Sequence, residues 1–190
     1  KAFFTLMDYD VFFNALNIFL FNGHWTLPTK TTLNLVLDYR KSPLLFTNNA
    51  IQGQGVTELS DVFDRFSDDQ IKDLARDRST NSKSATFGVT QDLKQDLQLT
   101  TEGTVSEVEG TLSTGGVEGA ESTGQDYFYS TQLIASNVLR EGYVVITGLN
   151  FSDTERYYTY SLNLNTRFPL NRKIRIIPKF RLDYRDAKEN

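Results

Sequence analysis

The residues of this chain that could do chemistry are basic, and they lie on one phase of an alternating stretch. Residues 173–185 read K-I-R-I-I-P-K-F-R-L-D-Y-R. Arg175, Lys179, Arg181, Asp183 and Arg185 fall on one side, and Ile174, Ile176, Pro178, Phe180, Leu182 and Tyr184 on the other. A period of two is that of a β-strand with two chemically different faces. The tetrapeptide Leu182-Asp183-Tyr184-Arg185 also occurs as Leu37-Asp38-Tyr39-Arg40, closing another alternating run. With Arg167 and Arg40, these residues make up a candidate basic wall with Asp38 and Asp183 set into it. Such a wall selects anionic solutes or an acidic polymer when it lines a passage. Its bases could equally be neutralised by Asp38, Glu102 and Asp183 inside a solvated interior.

Other chemistry lacks its parts. His24 is the only histidine and there is no cysteine, which removes Ser-His-Asp and Cys-His catalysis and thiolate or His-rich metal sites. Gly53-Gln54-Gly55 precedes a helical pattern, but no third glycine or lysine follows as a nucleotide loop requires. A non-enzymatic protein with no cofactor and no metal site is expected. The formal charge is −4, and between Glu58 and Asp77 seven acids stand against three bases. The remainder balances, so no concentrated positive face is available to nucleic acid. The acids of that stretch do not have EF-hand spacing; they fit a solvated helix face that could meet a partner.

The elements that carry these residues alternate. Strands are expected at residues 9–22, 31–40, 85–91, 97–108, 126–139, 143–151, 156–168 and 173–185, with a turn at Asn22-Gly23. Residues 41–83 form a long insertion with two short helices near residues 57–78, where Ser67-Asp68-Asp69-Gln70 is a capping-box pattern. Residues 109–124 are a Gly/Ser/Thr loop expected to be flexible. The second and fourth connections are long and the rest short, as in outer-membrane barrels with short turns on one side and long loops on the other. The expected fold is a single all-β domain over residues 1–190. It is an antiparallel up-and-down barrel of about eight strands, a segment of a membrane barrel.

Mean hydropathy is −0.38, and no run approaches the ~20 apolar residues of a spanning helix. A spanning strand needs only ~9–11 residues with every other one apolar. Alternation also fits a soluble sandwich, so aromatic position discriminates better. Tyr39, Tyr127, Tyr129, Phe151, Tyr158, Tyr160 and Tyr184 are expected on the apolar face near the long-loop end. Phe21, Tyr143, Phe168 and Trp25 are expected near the other, with aliphatic residues between. Two aromatic girdles match two membrane interfaces. The opposite phase is rich in Asn, Gln, Ser and Thr, unlike a Lys- and Glu-rich soluble surface. The second and eighth strands run the same way. Both L-D-Y-R ends should therefore meet at one rim, with Asp38, Arg40, Asp183 and Arg185 inward and Tyr39 and Tyr184 outward. Closure would bring Arg40 near the last strands. Pro178 lacks the N–H of a central strand and needs a bulge or an edge.

The stretch L-D-Y-R-K-S-P-L-L-F-T-N-N-A-I-Q-G-Q-G-V, the loop G-T-L-S-T-G-G-V-E and the segment L-N-T-R-F-P-L resemble the barrel region of large bacterial proteins in which tetratricopeptide repeats precede an outer-membrane β-barrel. These are similar in architecture to exopolysaccharide exporters. The resemblance implies a bacterial outer-membrane location, the lipid bilayer as a partner, and passage or export of a solute or polysaccharide. It also makes this chain one segment of a larger protein, which its start at Lys1, with neither methionine nor leader, is expected to reflect. A surface binding or assembly module, and a soluble β-barrel whose basic face binds a ligand, are the other readings.

Overall fold

The structure, a computed structural model, describes residues 1–114, 117–138, 140–171 and 173–188. Among them one antiparallel sheet dominates. Its strands are β1 (Ala2–Asp10), β2 (Ala15–Thr26), β3 (Thr31–Ser42), β4 (Thr80–Lys94), β5 (Leu97–Val108), β6 (Gln125–Ser136), β7 (Val144–Asp153), β8 (Tyr157–Pro169), β9 (Arg175–Ile176) and β10 (Lys179–Ala187). The hydrogen-bonded order is β1-β2-β3-β4-β5-β6-β7-β8-β10, with β9 also on β8. From β1 to β8 each strand pairs with its neighbour in sequence, and β9 and β10 both follow on β8, which is the up-and-down order the alternation predicts.

Four expectations need correction. The sheet is open: β1 and β10 are its two edges, and no pairing joins them among the described residues. Arg40 on β3 is therefore not brought beside the last strands. Ten strands replace eight because residues 2–10 form β1, whose apolar residues sit on both phases, and because the last strand is interrupted. The span 9–22 is not one strand either. A turn at residues 11–14 splits it, with Asp10 Oδ1 accepting from the Phe13 N–H at 3.0 Å and Asn14 at φ 50°. Asn22-Gly23 is no turn; both residues lie inside β2, Gly23 opposite Leu35. Glycine is needed there for space, since an added Cβ would meet Phe21 Cε1 at 3.0 Å and Phe3 Cδ1 at 3.3 Å.

Pro178 interrupts the pairing pattern without shifting it. Phe168↔Ile176 and Asn165↔Lys179 belong to one register, and the Thr166 N–H donates to the Pro178 carbonyl at 3.0 Å across the gap. β9 and β10 thus follow one line along β8. Proline stands in the break between β9 and β10, where its carbonyl still accepts from β8 and the ladder bond its missing N–H would have made is the one that is absent.

Between β3 and β4 the chain leaves the sheet as a 3₁₀ turn (Thr47–Ile51), α1 (Leu59–Phe63) and α2 (Asp68–Asp77). The capping box forms: the Ser67 N–H donates to Gln70 Oε1 at 2.9 Å, and the Gln70 N–H to Ser67 Oγ at 3.4 Å. Leu45, Ala50, Val62, Ile71 and Ala75 bury one another here, joined by Phe13 from the β1–β2 turn. This is the molecule's buried apolar core among the described residues. The long sheet has no such core on either face, and Leu149, Phe87, Leu182 and Tyr184 are all more than half exposed.

Candidate lumenal face and rim

Register fixes which side chains share a face, because directly paired residues project the same way. Starting from Tyr39, the pairings carry one face through Phe19, Lys83, Glu107 and Gln125 at the edge nearest the insertion. One level further in, the same face runs from Leu37 through Ala85, Val105, Tyr127, Asp153 and Tyr158. Leu35, Phe87, Gly103, Tyr129, Phe151, Tyr160 and Tyr184 form the next row. Leu149, Leu162 and Leu182 lie in the row beyond it.

Both long connections, residues 43–79 and 109–124, leave the same end of the sheet, called here the long-loop end. Tyr39, Tyr127, Tyr129, Phe151, Tyr158, Tyr160 and Tyr184 lie toward it on the apolar face. Phe151 stacks on Tyr158 and tilts against Tyr160, with ring centroids at 6.3 and 5.0 Å. Trp25, Phe168 and Tyr143 mark the other end, the latter two 5.4 Å apart. Phe21 does not join them: it pairs with Leu37 and so shares the row of Tyr127 and Tyr158, on the long-loop half of the sheet.

The opposite face is concave. A trough of about 530 Å³ is lined by Glu102 (β5), Ser130 and Gln132 (β6), Asn150 (β7), Asn163 (β8) and Arg181 (β10). Mid-sheet residues on this face, Gly148 and Ser161, are buried, while their neighbours Leu149 and Leu162 on the other face are exposed, as a sheet curled toward this side requires. The basic residues follow the trough's β10 side. Lys179 pairs with Asn165, Arg181 with Asn163, Asp183 with Ser161 and Arg185 with Thr159, while Arg167 on β8 and Arg175 on β9 occupy the same phase at the short-turn end. Arg181 Nε donates to Asp183 Oδ1 at 2.9 Å, and Ser161 Oγ donates to the same oxygen at 2.5 Å. Arg185 lies over the Tyr157 ring at 5.3 Å. Arg167, Arg175 and Lys179 form no ion pair among the described residues, so the wall keeps unneutralised positive charge.

Asp38 and Arg40 repeat the Asp-Arg arrangement on β3. Arg40 Nε donates to Asp38 Oδ1 at 2.9 Å, and the pair is reinforced through Nη2. Both L-D-Y-R ends therefore reach the same rim with tyrosine on one face and charge on the other. They remain six strand steps apart, so the candidate site divides into a β8–β10 cluster and a separate β3 pair.

The amides that line the trough, Gln132, Asn150, Asn163 and Asn165, are functional candidates that charge-based reading passed over. Their signal was available in the polar phase of β6, β7 and β8. The inner face is also less uniform than expected. Phe4, Leu6, Ile18, Leu20 and Val36 occupy it on β1–β3, and Phe128, Ile134, Val144 and Ile146 on β6 and β7, so its polar character belongs chiefly to β4, β5, β8 and β10. His24, on this face, bonds through Nδ1 to Asn34 Oδ1 at 2.8 Å and through Nε2 to Thr26 Oγ1 at 3.3 Å, a structural role.

The rim is braced. Arg78, 7% exposed, donates from Nη1 to Thr114 Oγ1 at 2.9 Å, from Nη2 to the Thr114 carbonyl, and from Nε to the Gln52 carbonyl at 3.3 Å. It ties the helical insertion to the 109–124 loop. Arg76 Nη2 donates to the Phe13 carbonyl at 2.7 Å, tying it to the β1–β2 turn. The described arms of the loop run close together, with the Thr111 N–H on the Ala120 carbonyl at 2.8 Å. A Cβ at Gly110 would come within 2.5 Å of that carbonyl, which is why glycine stands there. Gly115 and Gly116, part of the expected flexible loop, lie outside the described residues, as do Leu139, at the end of the expected strand 126–139, and Arg172. On α2 the acids face solvent, Asp73 pairing with Arg76 at 3.1 Å and Asp69 with Lys72 at 3.8 Å.

Glu109 anchors the root of the loop. The Lys83 ammonium, then the Asn81 amide at 2.5 Å, hold its carboxyl below the usual carboxylate range. A depressed folded-state pKa gives stability that is present above the unfolded value, ~4.3, and lost as pH falls through the folded one. A spin label at Glu118→Cys should therefore loosen only at strongly acidic pH. In Glu109→Gln it should be loose already at pH 7, with a flat pH profile.

No family model, curated protein or solved structure matches this chain.

Proposed function

We propose that this sheet is part of a bacterial outer-membrane β-barrel, non-enzymatic, whose polar concave face lines a passage for a solute or a polysaccharide. The observation that carries the reading is the partition of the two faces. Apolar side chains bounded by aromatic rows cover the convex face with nothing packed over them among the described residues, while on β4, β5, β8 and β10 amides, hydroxyls and unneutralised bases line the concave one. Lipid satisfies the first and water the second. A soluble sandwich would need a second sheet over the apolar face, and the described residues provide none. The architecture resembled by the sequence, repeats followed by an export barrel, agrees with this assignment, and on it the long-loop end faces the cell exterior. The free bases Lys179, Arg167 and Arg175 favour an anionic cargo.

A second reading rests on the rim. Phe46 and Phe63 of the insertion and Leu112 of the 109–124 loop are exposed, and with the acidic α2 surface they offer a place for an assembly partner.

Heat-modifiable gel migration and planar-bilayer conductance of the intact protein test the first reading. We expect detergent-dependent monomers, slower migration after boiling, and channels that prefer anions. Reversing charge with Lys179→Glu and Arg181→Glu should move the preference toward cations several-fold. A protein that stays folded and monomeric without detergent contradicts the membrane assignment. Membrane insertion without conductance or solute flux leaves the rim reading.

A further inference from the structure

The two free edges of the sheet carry information about how the barrel is completed. Among the described residues, β1 and β10 each hydrogen-bond on one side only. Strand direction alternates along the nine-position line from β1 to β10, so both edges run the same way, from the short-turn end to the long-loop end. Joining β1 to β10 would create a parallel pair in a sheet whose other pairings are all antiparallel. A second copy does not help. Inserted with the same side outward, it offers only edges of that same direction, and every junction would again be parallel.

The β10 edge is nevertheless fit to pair. In an antiparallel ladder, alternate residues direct their N–H and C=O to the same neighbour. The bonds from the Thr166 N–H to the Pro178 carbonyl at 3.0 Å and from the Lys188 N–H to the Arg156 carbonyl at 2.9 Å show that even-numbered residues point toward β8. The outward amides are those of Lys179, Arg181, Asp183 and Arg185. Pro178 thus loses a donor on the β8 side and leaves the outer edge intact, whereas a proline that blunts an edge removes an outward donor. The apolar row also reaches both edges without a break, through Met7 and Phe3 on β1 and Leu182 and Tyr184 on β10.

We infer that an odd number of further amphipathic strands, lying outside residues 1–190 of the same polypeptide, completes the barrel. At least one pairs antiparallel with each of β1 and β10, running from the long-loop end to the short-turn end. Nine positions plus an odd number restores the even count of all-antiparallel bacterial barrels. The inference rests on the membrane-barrel reading and excludes both self-closure and a pore made from two copies.

The chain contains no cysteine, so disulfide trapping in the intact protein is clean within this region. Neighbouring strands bring Cα atoms within disulfide reach, and one interposed strand separates them to ~10 Å, beyond it. Asn163→Cys with Arg181→Cys, a directly paired position, should oxidise readily and serves as the control. Phe4→Cys or Leu6→Cys combined with Lys179→Cys, Arg181→Cys or Asp183→Cys should give neither intramolecular nor dimeric product. Hydrogen exchange resolved at single amides should show Arg181, Asp183 and Arg185 as protected as Phe180, Leu182 and Tyr184. A β1–β10 disulfide within one chain establishes self-closure and overturns the inference; a dimeric one establishes a two-copy barrel and does the same. Fast exchange at the odd-numbered amides shows an unpaired edge and also overturns it. Heat-modifiable migration, scored separately on each variant, reports whether the membrane reading itself holds.

Discussion

Arginine in place of Leu149 is expected to destabilise the membrane-inserted fold by about 2–4 kcal/mol, while arginine in place of Asn163 leaves it nearly intact. Leu149 sits mid-strand on the apolar face, between Thr131 on β6 and Leu162 on β8, and is 59% exposed. On a soluble surface a leucine this exposed could become arginine at almost no cost, within about 0.5 kcal/mol. Facing lipid at the bilayer midplane, the same change costs about 2–4 kcal/mol. Asn163 lies one residue from Leu162 and on the other face, beside Arg181 in the trough. The two substitutions therefore share chemistry, sheet and depth and differ in face alone. Urea titration in lipid vesicles should show Leu149→Arg destabilised by that amount and Asn163→Arg changed by well under 1 kcal/mol. Equal effects at the two sites would dissolve the face assignment, and with it the lumen.

Leu45→Ala is expected to unfold the helical insertion and leave the strands standing. Leu45 is fully buried among Ala50, Val62, Ile71 and Ala75. Large-to-small changes at such sites cost about 2–5 kcal/mol. The insertion is small, and its ties to the sheet run through side chains of Arg76 and Arg78 and the turn residue Phe13, so its core has little reserve from which to absorb that loss. Proteolysis should cut residues 43–79 in the variant at low protease, with heat-modifiable migration unchanged. Loss of both together would mean that the insertion and sheet fold as one unit.

How much of this was legible in the sequence follows from how local each signal is. β3 and β5 were readable nearly to the residue because their alternation is clean and their neighbours keep the same phase. The capping box at Ser67 and Gln70 was readable for the same reason, since its partners are three residues apart. β1 was not, because Phe3, Phe4, Leu6 and Met7 occupy both phases and erase the period. Asn22-Gly23 looked like a turn because Asn-Gly favours positive φ. In the fold, the crowding of Phe3 and Phe21 sets the need for glycine, and that crowding arises only once β1 lies beside β2. The brace at Arg78 depends on Thr114, far along the chain, and carries no local mark. Openness of the sheet was beyond reach as well, because closure is a property of two edges and whatever lies between them.

The nearest-neighbour order of the strands also has a meaning in time. Every pairing in the main ladder joins consecutive strands, so the sheet can grow one hairpin after another, and each closure costs only the entropy of its own short connection. The exceptions are β5 with β6, across residues 109–124, and above all β3 with β4, where residues 43–79 intervene before Ser42 can meet Thr80. Loop-closure entropy grows only as the logarithm of length, about 0.6 kcal/mol per doubling. Burial of Leu45 against Ile71 and Ala75 shortens the effective loop further by drawing its two ends together. The insertion would thus act first as a clasp, delivering β4 to β3 in register before the later hairpins are laid down.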